Sequence, residues 1–353
     1  MGHTTITFYD DDRGRDVPAE VYYPADVSGD DVSVAVGEFP VLIFGHGFVI
    51  SYTAYENFWT ALVPEGYIML FPTTESGFSP NHETFGQDLS FLNEVMQDEN
   101  SNASSIFYQR VLEASAVMGH SMGGGSAFLA AGLNSNINTI ITYAAAETNP
   151  SAIVAAEEIS VPGLVFSGLE DGVAPPDENQ VPMYNALSSS CKTYIGVVDG
   201  VHCNFGGWSF YCSLVDSSTD LPMEEQQEIS LFYTLNWLNF YLKNNDTSND
   251  LFEDSLQTSQ RIIFEKYCPS NKEENVGDKS IQVLPNPFND YIFIEAINET
   301  LFEFKILDIN GKVLVQQNLY NQPAKISTNH LEKGLYIVEI KNSRGILTRK
   351  MVK

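Results

Sequence analysis

Ser121 stands in Gly119-His120-Ser121-Met122-Gly123-Gly124, a spacing that suits a serine held up as a nucleophile. Such a hydroxyl needs a turn so sharp that side chains two residues to either side would collide with the backbone, and glycine removes the collision. The largely apolar run 114–118 precedes this stretch and Gly125-Ser126-Ala127-Phe128-Leu129-Ala130-Ala131 follows it, so the predicted order is strand, turn, helix. The pattern alone is weak: with Gly and Ser near 7% usage, on the order of 0.1 matches arise by chance in a chain of this length. Partners for the hydroxyl must support it.

A serine hydroxyl attacks once a base takes its proton and a carboxylate holds that base in orientation. On a strand-turn-helix scaffold the acid and then the histidine are expected downstream. Two histidines follow Ser121, and His330 falls in a β-rich tail. His202 follows the strand-like run 193–198 through Asp199-Gly200-Val201 and is the expected base. Asp171, four residues beyond the run 161–167, is the expected acid; it is preferred to Glu170 and Asp177 because Gly172 would let the loop fold the carboxylate back. A tetrahedral intermediate also needs two N–H donors. Met122, next after the nucleophile, and Phe48, after Gly45-His46-Gly47, are the expected oxyanion donors. His46 and His120 are expected to pack or hydrogen-bond rather than carry protons. This chemistry calls for no metal and no organic cofactor.

These residues need a frame. Runs 4–9 and 19–23 predict an antiparallel pair, and Phe39-Pro40-Val41-Leu42-Ile43-Phe44 and 67–72 predict strands covered on both faces. Helices are predicted over 53–64, 86–97 and 223–241, and further strands over 137–143, 161–167 and 193–198. Strands alternating with helices predict an α/β fold, a doubly wound, mostly parallel sheet whose carboxyl ends hold the site. Residues 269–280 read as a linker after a domain spanning 1–268. Short strands then predict an all-β sandwich over 281–353, with Asp308-Ile309-Asn310-Gly311 as a hairpin turn.

At Gly119–Gly124, Gly47-Phe48, Glu170-Asp171-Gly172-Val173-Ala174-Pro175 and Asp199-Gly200-Val201-His202-Cys203 the chain resembles the α/β-hydrolase family, and within it the secreted polyesterases, cutinase-like and PET hydrolases. The resemblance covers roughly 5–265. It implies Ser121, His202 and Asp171 as a triad, Phe48 and Met122 as oxyanion donors and cleft walls, and Val173 beside them as a substrate contact. Members often carry a tryptophan in the loop that is 146–151 here, where this chain has none; Trp208 and Phe205 are the aromatic residues to consider in its place, with packing the expected role of each. The tail, through Leu284-Pro285-Asn286-Pro287-Phe288, Leu331-Glu332-Lys333-Gly334-Leu335-Tyr336 and the basic ending Arg349-Lys350-Met351-Val352-Lys353, resembles a type IX secretion sorting domain of Bacteroidetes. That resemblance implies the export machinery as a partner and a secreted or outer-surface location.

Composition agrees with such a protein. The net charge is −28 over 353 residues, with 46 acidic and 18 basic side chains. Residues 278–353 hold 10 basic and 8 acidic residues, which leaves 8 basic and 38 acidic in 1–277. So acidic a surface repels nucleic acid and anionic lipid, and neutral or cationic partners are expected. No apolar run is long enough for a transmembrane helix. Met1-Gly2-His3-Thr4 lacks a basic start and an apolar stretch, so a leader is expected to have been removed from an exported form. Cys191, Cys203, Cys212 and Cys268 suggest up to two disulfides, with Cys203–Cys212 and Cys191–Cys268 preferred among three connectivities and four free buried thiols as the alternative. The expected function is a secreted, monomeric serine ester hydrolase that cleaves carboxylic esters, above all polyesters of the cutin or PET kind, through an acyl-enzyme. A lipase or small-ester carboxylesterase is the nearer alternative, a peptidase of the same fold a remoter one, and a non-catalytic surface binding protein the rival from another class.

Overall fold

The computed structural model describes residues 1–207, 209, 212–268, 281–296, 302–309, 311–319, 324–341 and 346–353. The hydrolase-like part opens with strands β1 (Gly2–Asp10), β2 (Arg15–Tyr23) and the short β3 (Gly29–Asp30), followed by β4 (Phe39–Gly45), β5 (Ile68–Pro72), β6 (Val111–His120), β7 (Thr139–Tyr143), β8 (Gly163–Gly168), β9 (Lys192–Val197) and β10 (Ile262–Cys268). Helices α1 (Glu56–Leu62), α2 (His82–Ser101), α3 (Met122–Leu133), α4 (Ala152–Ala156), α5 (Gln180–Ala186), α6 (Cys212–Val215), α7 (Met223–Lys243) and α8 (Asp246–Thr258) lie between them. Strands β4 to β9 pair in parallel in the spatial order β5-β4-β6-β7-β8-β9, while β1, β2 and β10 add antiparallel edges. This is the doubly wound α/β sheet expected from the alternation of elements.

Why these strands read as unbroken apolar runs is visible in the two cores. Successive side chains of a strand point to opposite faces. Val41, Ile43, Val117, Ile140 and Val165 enter one core with Leu89 and Leu92 of α2 and Phe128 of α3. Leu42, Phe44, Met118, Ile141 and Phe166 enter the other with Phe58 of α1, Trp237 and Leu238 of α7 and Phe252 of α8. With helices on both faces, neither side of a central strand meets water, and polar alternation disappears.

The predicted helices exist with shifted ends. The segment 53–64 divides into a 3-10 turn at Tyr52–Tyr55 and α1. The helix predicted over 86–97 extends to His82–Ser101, begun by the Asn81 side chain accepting from Thr84 N–H at 3.1 Å. Helix α8, which buries Phe252 and Leu256 on one face, and strand β10 are additional to the predicted elements.

The tail forms β11 (Ile281–Leu284), β12 (Tyr291–Ala296), β13 (Phe302–Leu307), β14 (Val313–Leu319), β15 (Ala324–Ser327), β16 (Leu335–Lys341) and β17 (Ile346–Val352). A three-stranded sheet, β11-β12-β15, faces β14-β13-β16-β17 across a core of Val283, Ile292, Ile294, Ile326, Phe304, Ile306, Val338, Ile340 and Met351. The expected sandwich is therefore present. Its hairpin turn closes with Gly311 N–H on the Asp308 carbonyl at 3.0 Å and Gly311 at φ 79°; Asn310 lies outside the described residues. So does the expected linker at 269–280.

Strand β17 also pairs antiparallel with β10, Glu265 opposite Arg349, so the tail continues the central sheet. The Arg349 guanidinium forms an ion pair with Glu265 and donates to the Val283 carbonyl. Lys350, fully buried, donates to the Ser259 carbonyl, and burial lowers its pKa to about 8.

The cysteines join as Cys191–Cys268 and Cys203–Cys212, the preferred connectivity. Cys191 precedes β9 and Cys268 ends β10, so the first bridge closes a 77-residue separation across two adjacent strand ends. A loop of that size implies stabilisation of roughly 2–5 kcal/mol through the restricted unfolded chain. Replacing both cysteines by serine in the full chain is expected to lower the urea midpoint accordingly; an unchanged midpoint would show that the β9/β10 pairing holds this edge unaided.

Candidate active site

The carboxyl ends of the parallel strands gather the expected site residues. Gly45 at the end of β4 pairs with Gly119 near the end of β6, so the segments that follow, Gly47-Phe48 and Ser121, leave the sheet side by side. Ser121 itself sits at φ 54°, ψ −122°, between β6 and α3. A non-glycine residue there is strained by about 1–3 kcal/mol and persists only where its surroundings fix it. Ser121 N–H donates to the Tyr143 carbonyl at 3.0 Å, and its carbonyl accepts from Gly125 N–H at 3.0 Å and Ala146 N–H at 2.9 Å. A Cβ on Gly119 would lie 2.3 Å from the Gly123 carbonyl oxygen, and one on Gly123 would lie 2.2 Å from that of Gly45. Glycine is required at both places by contact with neighbouring backbone.

His202 and Asp171 complete a chain of contacts. His202 Nε2 lies 2.8 Å from Ser121 Oγ, and Nδ1 lies 2.7 Å from Asp171 Oδ2. All three residues are buried. Because a carboxylate only accepts, the imidazole proton sits on Nδ1, leaving the Nε2 lone pair to receive the serine proton. The other oxygen of Asp171 accepts from the N–H groups of Val173 and Ala174, both at 2.8 Å, which fixes the carboxylate plane. Glu170 and Asp177, the competing carboxylates, are exposed. Gly172 acts differently from the expectation. It has no positive φ, and its hydrogen leaves room for Ser217, whose Oγ would lie 2.8 Å from a Cβ. The two N–H contacts, more than glycine freedom, orient Asp171.

Phe48 and Met122 border Ser121 in the chain and the sheet. The Gly47–Ile50 segment is a tight turn, Ile50 N–H donating to the Gly47 carbonyl at 3.1 Å, with the β-branched Val49 forced to φ 55°. Met122 opens α3, and a helix leaves its first N–H groups without internal partners. Phe48 and Val173 are half-buried. Phe205 is fully buried among Tyr143, Phe166 and His120 and packs the core, the role expected of it; Trp208 lies outside the described residues.

Several supports were not legible in sequence. The Asp216 carboxylate accepts from the N–H groups of His202 at 3.2 Å and Cys203 at 2.7 Å. The buried Gln226 amide holds both main-chain groups of Val201, accepting at 3.0 Å and donating at 2.8 Å. One of many carboxylates and one glutamine in a long helix carry no distinctive spacing. His120 Nε2 lies 2.9 Å from the His202 carbonyl, and its Nδ1 lies 2.9 Å from Tyr55 Oη. Burial, reinforced by His202, lowers the pKa of His120 to about 3; burial also lowers that of His46, which sits between the Gly47 and Thr74 carbonyls.

A strained serine at a strand-helix junction, backed by histidine and aspartate from later strand ends of a parallel sheet, defines the α/β-hydrolase class. Residues 17–257 match the family described as PET hydrolase-like, and the chain belongs to that family. Residues 282–353 match the secretion system C-terminal sorting domain, which makes this a secreted or outer-surface protein. A curated relative, cutinase est1 of Thermobifida alba, is 32% identical over 114 residues, 31% of this chain and 37% of that protein. The chain thus spans little more than a third of the length of that relative. No helix among the described residues is long and apolar enough to cross a membrane.

The buried neutral His120 makes stability pH-dependent in a defined direction. An unfolded histidine titrates near 6.5 and folded His120 near 3, so stability is whole above about pH 6.5 and falls as pH drops toward 3, by about 1.4 kcal/mol per unit. His120→Gln is expected to lose less stability than the parent between pH 7 and 4.5, measured by urea unfolding at each pH. Equal slopes would show that His120 is protonated in the folded protein.

Proposed function

We propose that this chain is a secreted serine ester hydrolase acting on polyesters through an acyl-enzyme, with Ser121, His202 and Asp171 as its triad. The observation that carries the reading is the continuous contact from Ser121 Oγ through His202 to Asp171, at 2.8 and 2.7 Å, mounted on the strained elbow at φ 54°. His202 Nε2 takes the serine proton as Oγ attacks the ester carbonyl. The developing oxyanion is held by the N–H groups of Phe48 and Met122. The intermediate collapses when His202 returns the proton to the leaving alcohol, and water, activated by the same base, hydrolyses the acyl-enzyme. Asp171 keeps the imidazole in its Nδ1–H tautomer throughout. No metal or organic cofactor enters these steps.

The rims support a bulky substrate. The loops beyond β4, β6, β8 and β9 pass directly into a tight turn, α3, the Asp171–Ala174 turn and a short 3-10 turn at Cys203–Phe205. In this reading such short connections leave the cleft beside Phe48, Met122 and Val173 open to a bulky or polymeric ester. The loop 146–151 without tryptophan, together with the burial of Phe205, favours aliphatic over aromatic esters. In this reading residues 1–268 form a monomeric catalytic unit, 269–280 a linker, and 281–353 the unit handed to the type IX secretion machinery.

Ser121→Ala should lower hydrolysis of p-nitrophenyl butyrate and of an aliphatic polyester film by at least about 10³-fold with an unchanged circular dichroism spectrum. Retained activity in that variant would end the triad reading. Rates on film above those on long-chain emulsions would support the polyesterase; the reverse order would make the protein a lipase.

A further inference from the structure

Tyr55, His120 and two backbone groups form a buried chain from the Gly47-Phe48 loop to His202, and the direction of each hydrogen bond in it is determined. The His202 carbonyl oxygen only accepts, so His120 Nε2, 2.9 Å away, carries the ring proton. His120 is neutral in the folded protein, so its Nδ1 presents a lone pair. Tyr55 Oη, 2.9 Å from that lone pair, is the donor, and burial keeps its hydroxyl protonated. The same oxygen accepts from Gly47 N–H at 2.8 Å. Tyr55 and His120 are each 1% exposed, so no water competes for these positions.

We propose that Tyr55 and His120 are positioning residues that lock the oxyanion loop and the catalytic-histidine loop into one rigid frame around Ser121. The inference rests on the triad reading given above. Gly47 N–H is the donor immediately before Phe48, so a displacement at Gly47 is carried to the Phe48 N–H. The imidazole of His202 hangs from the residue whose carbonyl His120 grips, and the two rings lie 4.9 Å apart. The packing around the bond is tight: a Cβ on Gly47 would lie 3.1 Å from Tyr55 Oη, 3.2 Å from His120 Nδ1 and 3.0 Å from Ile50 Cδ1. Catalytic groups lose effectiveness when displaced by about 0.5 Å, and loss of one oxyanion donor costs about 10²–10³-fold in rate. Releasing Gly47 should cost part of that.

The test uses the full chain, p-nitrophenyl butyrate as substrate and an organophosphonate to label Ser121. Tyr55→Phe keeps the ring and removes the bond to Gly47 and His120. Its kcat is expected to fall about 10- to 100-fold with KM changed less than about 2-fold, and labelling should slow by a similar factor yet reach full stoichiometry. His120→Leu should show the same loss, and His120→Gln, whose amide offers one donor and one acceptor, should recover most of it. The Tyr55→Phe/His120→Leu double variant should be no slower than the slower single variant, as members of one chain require. A Tyr55→Phe enzyme with parental kcat and labelling rate, whatever its thermal stability, would overturn the proposal. If Tyr55→Phe does not fold, equal rates in His120→Gln and His120→Leu would overturn it. Failure of the unsubstituted protein to label at Ser121 would instead refute the triad reading on which the inference stands.

Discussion

The site depends on one close approach of backbone to backbone. Gly123 at the start of α3 lies against Gly45 at the end of β4, and Gly119 lies under the Gly123 carbonyl, with no space for a methyl group at either contact. Only through that contact can α3 begin directly above the junction of β4 and β6. Ser121 then has little choice of conformation, and its main-chain bonds to Tyr143, Gly125 and Ala146 offset the strain of φ 54°. The same contact brings the Gly47 turn to the nucleophile. Nucleophile and oxyanion loop are thus consequences of a single packing event at the carboxyl edge of the sheet.

Electrostatics inside the site differ from those of the surface. The segment 1–277 carries 38 acidic side chains, yet the interior chemistry rests on few ionisable groups with their partners assigned. Asp171 accepts from two N–H groups and an imidazole, so its charge is balanced by oriented dipoles as it leaves water. His120 is held neutral by burial, and burial also lowers the pKa of His46. Asp216, outside the triad, holds the main chain of the histidine loop, and the Cys203–Cys212 bridge ties the same loop to α6.

The tail meets the rest of the chain as sheet. Strand β10 would end the central sheet with an unpaired row of backbone groups, and β17 pairs with it over Glu265–Cys268. An uncovered strand edge invites pairing with other chains. In this chain the sorting domain itself supplies the covering strand, with Arg349 and Lys350 buried along the seam and Leu335 and Val352 packed against the central core.

Much of this could be read from residue order. Period-two and unbroken apolar runs revealed the strands, because burial on one or both faces leaves a mark at every position. The order of Ser121, Asp171 and His202, and the paired glycines about Ser121, pointed to the same three residues that the structure brings together, because each must follow a strand that ends at one edge. Tyr55, Asp216, Gln226 and the β10/β17 pairing left no such mark. Tyr55 reaches His120 across 65 positions, and Gln226 reaches Val201 across 25, with no spacing rule to connect them. The sequence by itself determined which elements form and which residue types stand at strand ends, since those follow from local pattern. The tertiary structure alone decided which buried polar groups face one another, because a hydrogen-bond partner is chosen by packing in space and not by distance along the chain.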